Sequence, residues 1–127
     1  MLLTIIIAAV CINLEHIGRI LLSNPESLVF NYGMAFSTLQ DMPFLATILS
    51  GLACLMICSV FFFADLNTGE RVGYSIMLGG ALSNFAEKLI LGYVIDWIPL
   101  PLIPLTINIA DIEVSLGALI AFINFTR

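Results

Sequence analysis

The chain has 127 residues, 61% of them hydrophobic and 10% charged, with a formal net charge of −5. A soluble domain carries about a quarter charged residues, so an ordinary globular core is excluded and one membrane domain over residues 1–127, with four helices, is expected. Nine acids against four Lys and Arg leave no basic patch for nucleic acid or anionic headgroups.

The first predicted span covers residues 1–22. It lacks the positive flank and small-residue cleavage site of a signal peptide, so it is read as a retained helix. It ends in EHIGR, which sets Glu15 and Arg19 at i, i+4, acid first, the favourable order for a helical ion pair. His16, the sole histidine, is read as a satisfied polar residue. SNPE then signals a turn. SLVFNYGMAFSTL is read as short extended segments at the membrane surface, with Phe30, Tyr32 and Phe36 as an interfacial aromatic belt. Gly33 marks a tight turn or a close backbone approach to a ligand.

The second span, 43–64, has no charged residue and is read as the least functional part, with Gly51 and Ala53 serving helix packing. Cys11, Cys54 and Cys58 lie inside apolar runs. No histidine or acid stands beside Cys54 and Cys58 to complete a metal site, so free thiols and no metal are expected. DLNTGER is a polar hairpin loop before the third span, 72–95. There Gly79 and Ser83 form a small-xxx-small pair, and Asn84, Glu87 and Lys88 share a face at i, i+3 and i+4. Pro99, Pro101 and Pro104 forbid regular helix, so WIPLPLIPLTI is expected as an extended flap on the outer surface. The fourth span, 109–125, carries Asp111 in its first turn, where the helix dipole favours a carboxylate.

Alternating spans bring Glu15, Arg19, Asn84, Glu87, Lys88, Asp96, Asn108 and Asp111 to one leaflet, while the other half is almost wholly apolar. Buried charges persist only when paired or solvated, so one polar cavity is expected there. Arg71 and Arg127 fall on the far side, which the positive-inside rule makes cytoplasmic. Both termini are then cytoplasmic and the cavity faces outward. Two close carboxylates can share one proton, the chemistry of aspartic proteases. Asp96 and Asp111 are accordingly the expected dyad of an integral membrane peptidase. The rival reading is a non-catalytic carrier or assembly subunit that uses the cluster for ion binding or helix association.

On these residues the chain resembles the lipoprotein signal peptidase (signal peptidase II) family over nearly its whole length. NYGMAF matches N-x-G-x-A-F, GGALSNFAEK matches G-G-x-x-G-N-x-x-D-R, YVIDW matches V-V-D-F and INIAD matches F-N-x-A-D. EHIGR stands where the family has D-Q-x-T-K. The resemblance implies an all-α, four-helix enzyme of the bacterial cytoplasmic membrane. Such an enzyme removes signal peptides from diacylglyceryl-modified prolipoproteins; the chain is further expected to work as a monomer among membrane lipids and without a cofactor. It implies Asp96 and Asp111 as catalytic. Asn31, Asn84 and Asn108 are implied as polar supports, with Glu15, Arg19, Glu87 and Lys88 as the surrounding charged set; Gly33, from its own position, is expected to join the supporting or substrate-binding residues. Glu15, Arg19, Glu87 and Lys88 keep the family's charge signs but change reach, Ser83 replaces a glycine, and the loop between the aspartates is short. Glu113 is an acid the pattern does not contain.

Overall fold

The computed structural model describes residues 1–34 and 38–125; the expectations for Phe36 and Arg127 lie outside them. Helix α3 (Thr68–Leu91) is the spine, and α1 (Leu2–Leu22), α2 (Pro43–Phe63) and α4 (Ile109–Phe125) each pack against it. Small residues allow the approach. A Cβ added at Gly79 would lie 2.5 Å from Cys11 Cβ on α1, one at Gly80 would lie 2.5 Å from the Ala110 carbonyl oxygen on α4, and Gly73 and Gly117 meet backbone to backbone. Close backbone contact of this kind is how apolar helices associate in lipid, where no hydrophobic force separates them from their solvent.

Helices α1 and α2 are long and apolar enough to cross a membrane, with mean hydropathy 1.9 and 2.3. Little of either is covered: Ile6, Val10 and Leu14 of α1 and Leu52, Leu55 and Phe62 of α2 stay exposed. Exposed apolar surface on this scale marks a membrane face.

Helix α3 departs from its expected bounds at both ends. Asn67 accepts from Glu70 N–H at 2.9 Å and the Glu70 carboxylate accepts from Asn67 N–H at 2.8 Å. This capping box starts the helix inside what reads as a polar loop. At the other end Gly92 takes φ +84°, the left-handed conformation that closes helices. Val94 and Ile95, expected as the end of the helix, therefore fall in a strand, β2 (Val94–Asp96).

Strand β1 (Val29–Asn31) runs antiparallel to β2, with Val29 opposite Asp96 and Asn31 opposite Val94. Period-two alternation puts Asn31, Val94 and Asp96 on one face. Phe30 falls on the other, where its ring and that of Tyr32 meet Tyr93 edge-on at 5.1 and 5.4 Å. The proline segment is a hairpin: β3 (Ile98–Pro99) pairs antiparallel with β4 (Thr106–Ile107). Its tip is apolar, with Leu102 93% exposed.

Candidate active site

Helices α2 and α4 both rest on α3 and barely meet each other. The gap between them is a cavity of about 540 Å³, lined in part by Leu100, Ile103 and Leu105 of the hairpin segment. Asp96 and Asp111 both line it. They reach it from separate segments: Asp96 ends β2, and Asp111 sits in the first turn of α4.

A relay of side-chain amides joins them. Asn108 Nδ2 donates to Asp96 Oδ1 at 2.9 Å and to Asn84 Oδ1 at 3.0 Å, and Asn84 Nδ2 donates to Asp111 Oδ1 at 2.9 Å. The backbone orients each amide. Asn108 Oδ1 accepts from Asp111 N–H at 2.8 Å, which leaves its NH₂ to face Asp96. Asn108 N–H in turn donates to Asp111 Oδ2 at 3.3 Å. Asn108 and Asp111 are thus the reciprocal cap that begins α4. Asn31 works the same way: its Oδ1 accepts from Gly33 N–H at 3.0 Å and Gln40 Nε2 at 2.8 Å, and its Nδ2 donates to Asp96 Oδ2 at 3.1 Å.

Each carboxylate therefore has both oxygens engaged by donors, yet Asp96 is 96% buried, being 4% exposed. Burial pushes the Asp96 carboxyl up from 3.8 to about 7, and the neighbouring Asp111 adds to the rise. The bonds from Asn31 and Asn108 oppose it, and Glu15 contributes a smaller upward push. A carboxyl that titrates near neutrality beside a second one can hold a shared proton.

Not all of the expected residues face the cavity. Asn31, Asn84 and Lys88 line it with the aspartates, and Asn108 is buried behind as the bridge. Gly33 does not line it; it packs on its own loop, where an added Cβ would strike the Thr38 carbonyl. The expected Glu15–Arg19 pair is replaced: Arg19 pairs with Glu87. Glu87 also accepts from Ile95 N–H at 3.0 Å, anchoring β2. Adjacent helical residues are about 100° apart, so Glu87 turns towards α1 while Lys88 turns into the cavity. Glu15 is 1% exposed and holds Trp97 and the start of α4 instead. Glu113 points away from the cavity, is buried, and faces the Cys11 thiol.

The second span is more involved than its composition implies. Ser50 and Ala53 line the cavity, and Lys88 Nζ donates to Ser50 Oγ at 3.3 Å. Ser50 and the indole of Trp97 act through partners distant in the chain, Lys88 and Glu15, which no local spacing signals, and Gln40 acts across a loop on Asn31. Gly51 does pack, against the Phe85 ring. Among the described residues no group of three or more His, Cys, Asp or Glu side chains is placed to hold a metal.

A family profile described as signal peptidase (SPase) II matches residues 25–127. The chain belongs to the signal peptidase II family. Among relatives, it is 34% identical over 91 residues to a lipoprotein signal peptidase of Nostoc punctiforme, covering 70% of this chain and 58% of that one. It is 40% identical over 91 residues to the Acaryochloris marina protein of that name, covering 70% of this chain and 54% of the relative. The chain thus spans little more than half the length of these curated relatives. A bacterial membrane enzyme solved by the in meso method at 2.3 Å superposes with a TM-score of 0.83 at 20% identity, over 99% of this chain and 88% of the other. That likeness establishes the fold. Within it, the segments INIAD and YVIDW carry Asp111 and Asp96 to the cavity.

Proposed function

We propose that the protein is a membrane-embedded aspartyl endopeptidase that removes signal peptides from diacylglyceryl-modified prolipoproteins, with Asp96 and Asp111 as its dyad. The observation that carries this reading is the Asn108–Asn84 relay joining two carboxyls of separate segments on one cavity. In this reading one aspartate, ionised, takes a proton from water as the water oxygen bonds to the scissile carbonyl carbon. The other, protonated, donates to the carbonyl oxygen. The tetrahedral diol then collapses, the C–N bond breaks, and a proton passes to the leaving nitrogen. The two carboxyls titrate as a pair, so neither role belongs to one residue. Lys88, buried at the cavity wall, stands within Coulombic range of both.

All four helices span the bacterial cytoplasmic membrane in this reading, the cavity opens at the outer surface, both termini are cytoplasmic, and the enzyme works as a monomer among lipids. The apolar flank of the cavity, with Ala53, Ile103 and Ile112, suits a lipid-bearing peptide.

The test is cleavage of a diacylglyceryl prolipoprotein by purified protein in detergent. Asparagine preserves shape but cannot exchange the proton. Asp96→Asn and Asp111→Asn are each expected to lower turnover by on the order of a hundredfold or more. The double variant should be little worse, because groups acting as a unit are non-additive. A folded Asp111→Asn protein cleaving at the parent rate would refute the mechanism.

A further inference from the structure

Glu15 lies outside the cavity, yet it touches both aspartate-bearing arms. Its Oε1 accepts from the Trp97 indole N–H at 2.9 Å, one residue beyond Asp96. Its Oε2 accepts from Ile109 N–H at 2.7 Å and Ala110 N–H at 3.3 Å, one or two residues before Asp111. The first N–H groups of a helix have no partner within it. In α4, Glu15 takes those of Ile109 and Ala110, and Asn108 takes that of Asp111. A carboxylate at this place also complements the helix dipole. One turn along α1, Gly18 completes the seat. A Cβ there would lie 2.5 Å from Ile109 Cδ1 and 3.5 Å from the Trp97 ring.

We propose that Glu15 is a positioning residue, a buried clamp on α1 that sets the separation of the two aspartates by holding Trp97 and the first turn of α4 at once. The inference rests on the peptidase reading above. The arms are also joined through the amide relay, in which Asn108 travels with α4 while Asn84 stands on α3, and Glu87 of α3 holds β2. Glu15 and Gly18 refer both arms to a third helix. Misplacement of catalytic groups by about 1 Å can cost around a hundredfold in rate, so a clamp of this kind acts on kcat rather than on substrate binding.

Its charge supplies a readout that packing alone would not move. Asp96 faces Asp111 on α4, Glu15 on α1, Lys88 on α3, and the amides of Asn31 and Asn108. Glu15 itself faces Glu113. Of these, Glu15 helps to hold the Asp96 carboxyl up, so neutralising it lets that carboxyl ionise at lower pH.

The experiment compares the parent with Glu15→Gln, Glu15→Asp and Trp97→Phe on a diacylglyceryl prolipoprotein. For folded Glu15→Gln, kcat should fall by about tenfold or more with KM near the parent value, and the alkaline limb of the pH–rate profile should move to lower pH. Glu15→Asp restores the charge without the reach, so it should return the limb towards the parent position while kcat stays low. Trp97→Phe cuts the Asp96 arm alone and should give a smaller fall in kcat. It also serves if Glu15→Gln does not fold. Amide exchange at Ile109 and Ala110 should accelerate in Glu15→Gln whether or not substrate is turned over. A parent without cleavage activity would remove the peptidase reading and leave the clamp to be judged by that exchange. Parent-like kcat and pH profile in Trp97→Phe and in folded Glu15→Gln would overturn the proposal, as would unchanged exchange at both amides.

Discussion

At the scale of single residues, Asp96 and Glu113 make a useful contrast. Both are buried acids, but Asp96 has five polar or charged groups arranged around it, whereas neither Glu113 oxygen meets a geometric hydrogen-bond partner among the described residues and only the weakly donating Cys11 thiol stands beside it. Asp96 holds its proton up to about 7 in the fold against an ordinary 3.8. The folded state therefore binds the extra proton between those values. The stability this lends is complete below the ordinary value and lost as pH rises through about 7. Asp96→Asn should flatten that part of the curve and melt higher than the parent at pH values above about 7, which thermal melts across pH will check. The parent's cleavage rate should fall on the alkaline side near the same pH, because ionising the second carboxyl removes the acid. Glu113 predicts the opposite kind of outcome. An unpartnered buried polar group costs about 1–3 kcal/mol, so Glu113→Leu should raise the melting temperature. Glu113→Gln should cleave at close to the parent rate. A large loss of turnover in folded Glu113→Gln would assign it a part in the site.

At the scale of elements, α3 shows how ends are decided by a few groups. Its N-terminus depends on the Asn67–Glu70 box, since the first turn runs through TGER, which has no apolar stripe. Loss of an Asn cap costs about 1 kcal/mol. Asn67→Ala should therefore lower stability by about that amount while leaving KM and kcat unaltered at temperatures where the protein is folded, because Asn67 is far along α3 from Asn84 and Lys88. A fall in kcat without a fall in stability would show coupling along α3. Its C-terminus depends on Gly92, whose left-handed backbone releases the chain into β2. That release creates the strand face on which Asn31 reaches Asp96.

At the scale of the whole molecule, chemistry is concentrated at one end. The aspartates, the amide relay, Glu15, the Arg19–Glu87 pair and Lys88 all gather where α1 and α3 end and α4 begins. The opposite end holds the short Asp65–Asn67 turn and the α3 cap. On the proposed four-span arrangement, reporter fusions at Asn67 and Pro101 should report opposite sides of the membrane, Pro101 outside. Finding both on one side would end the four-span arrangement.

Composition alone determined the membrane class, because 61% hydrophobic residues cannot be covered by so few polar ones. Apolar run length and proline position located four helices and the non-helical stretch between the aspartates. The paired aspartates and the asparagines beside them were also legible, since an acid or amide in such a chain has few reasons to be there. Only the tertiary structure decided the partners. Glu15 and Arg19 are ideally spaced to pair with each other on a helix, yet Glu15 takes the first N–H groups of α4 and Arg19 pairs with Glu87. Glu87 and Lys88 are neighbours in sequence and turn to different helices. Ser50 enters the cavity from a span without a charge. Helical spacing predicts which side chains share a face; which buried donor or acceptor meets that face depends on how the helices pack, and desolvation makes those meetings obligatory.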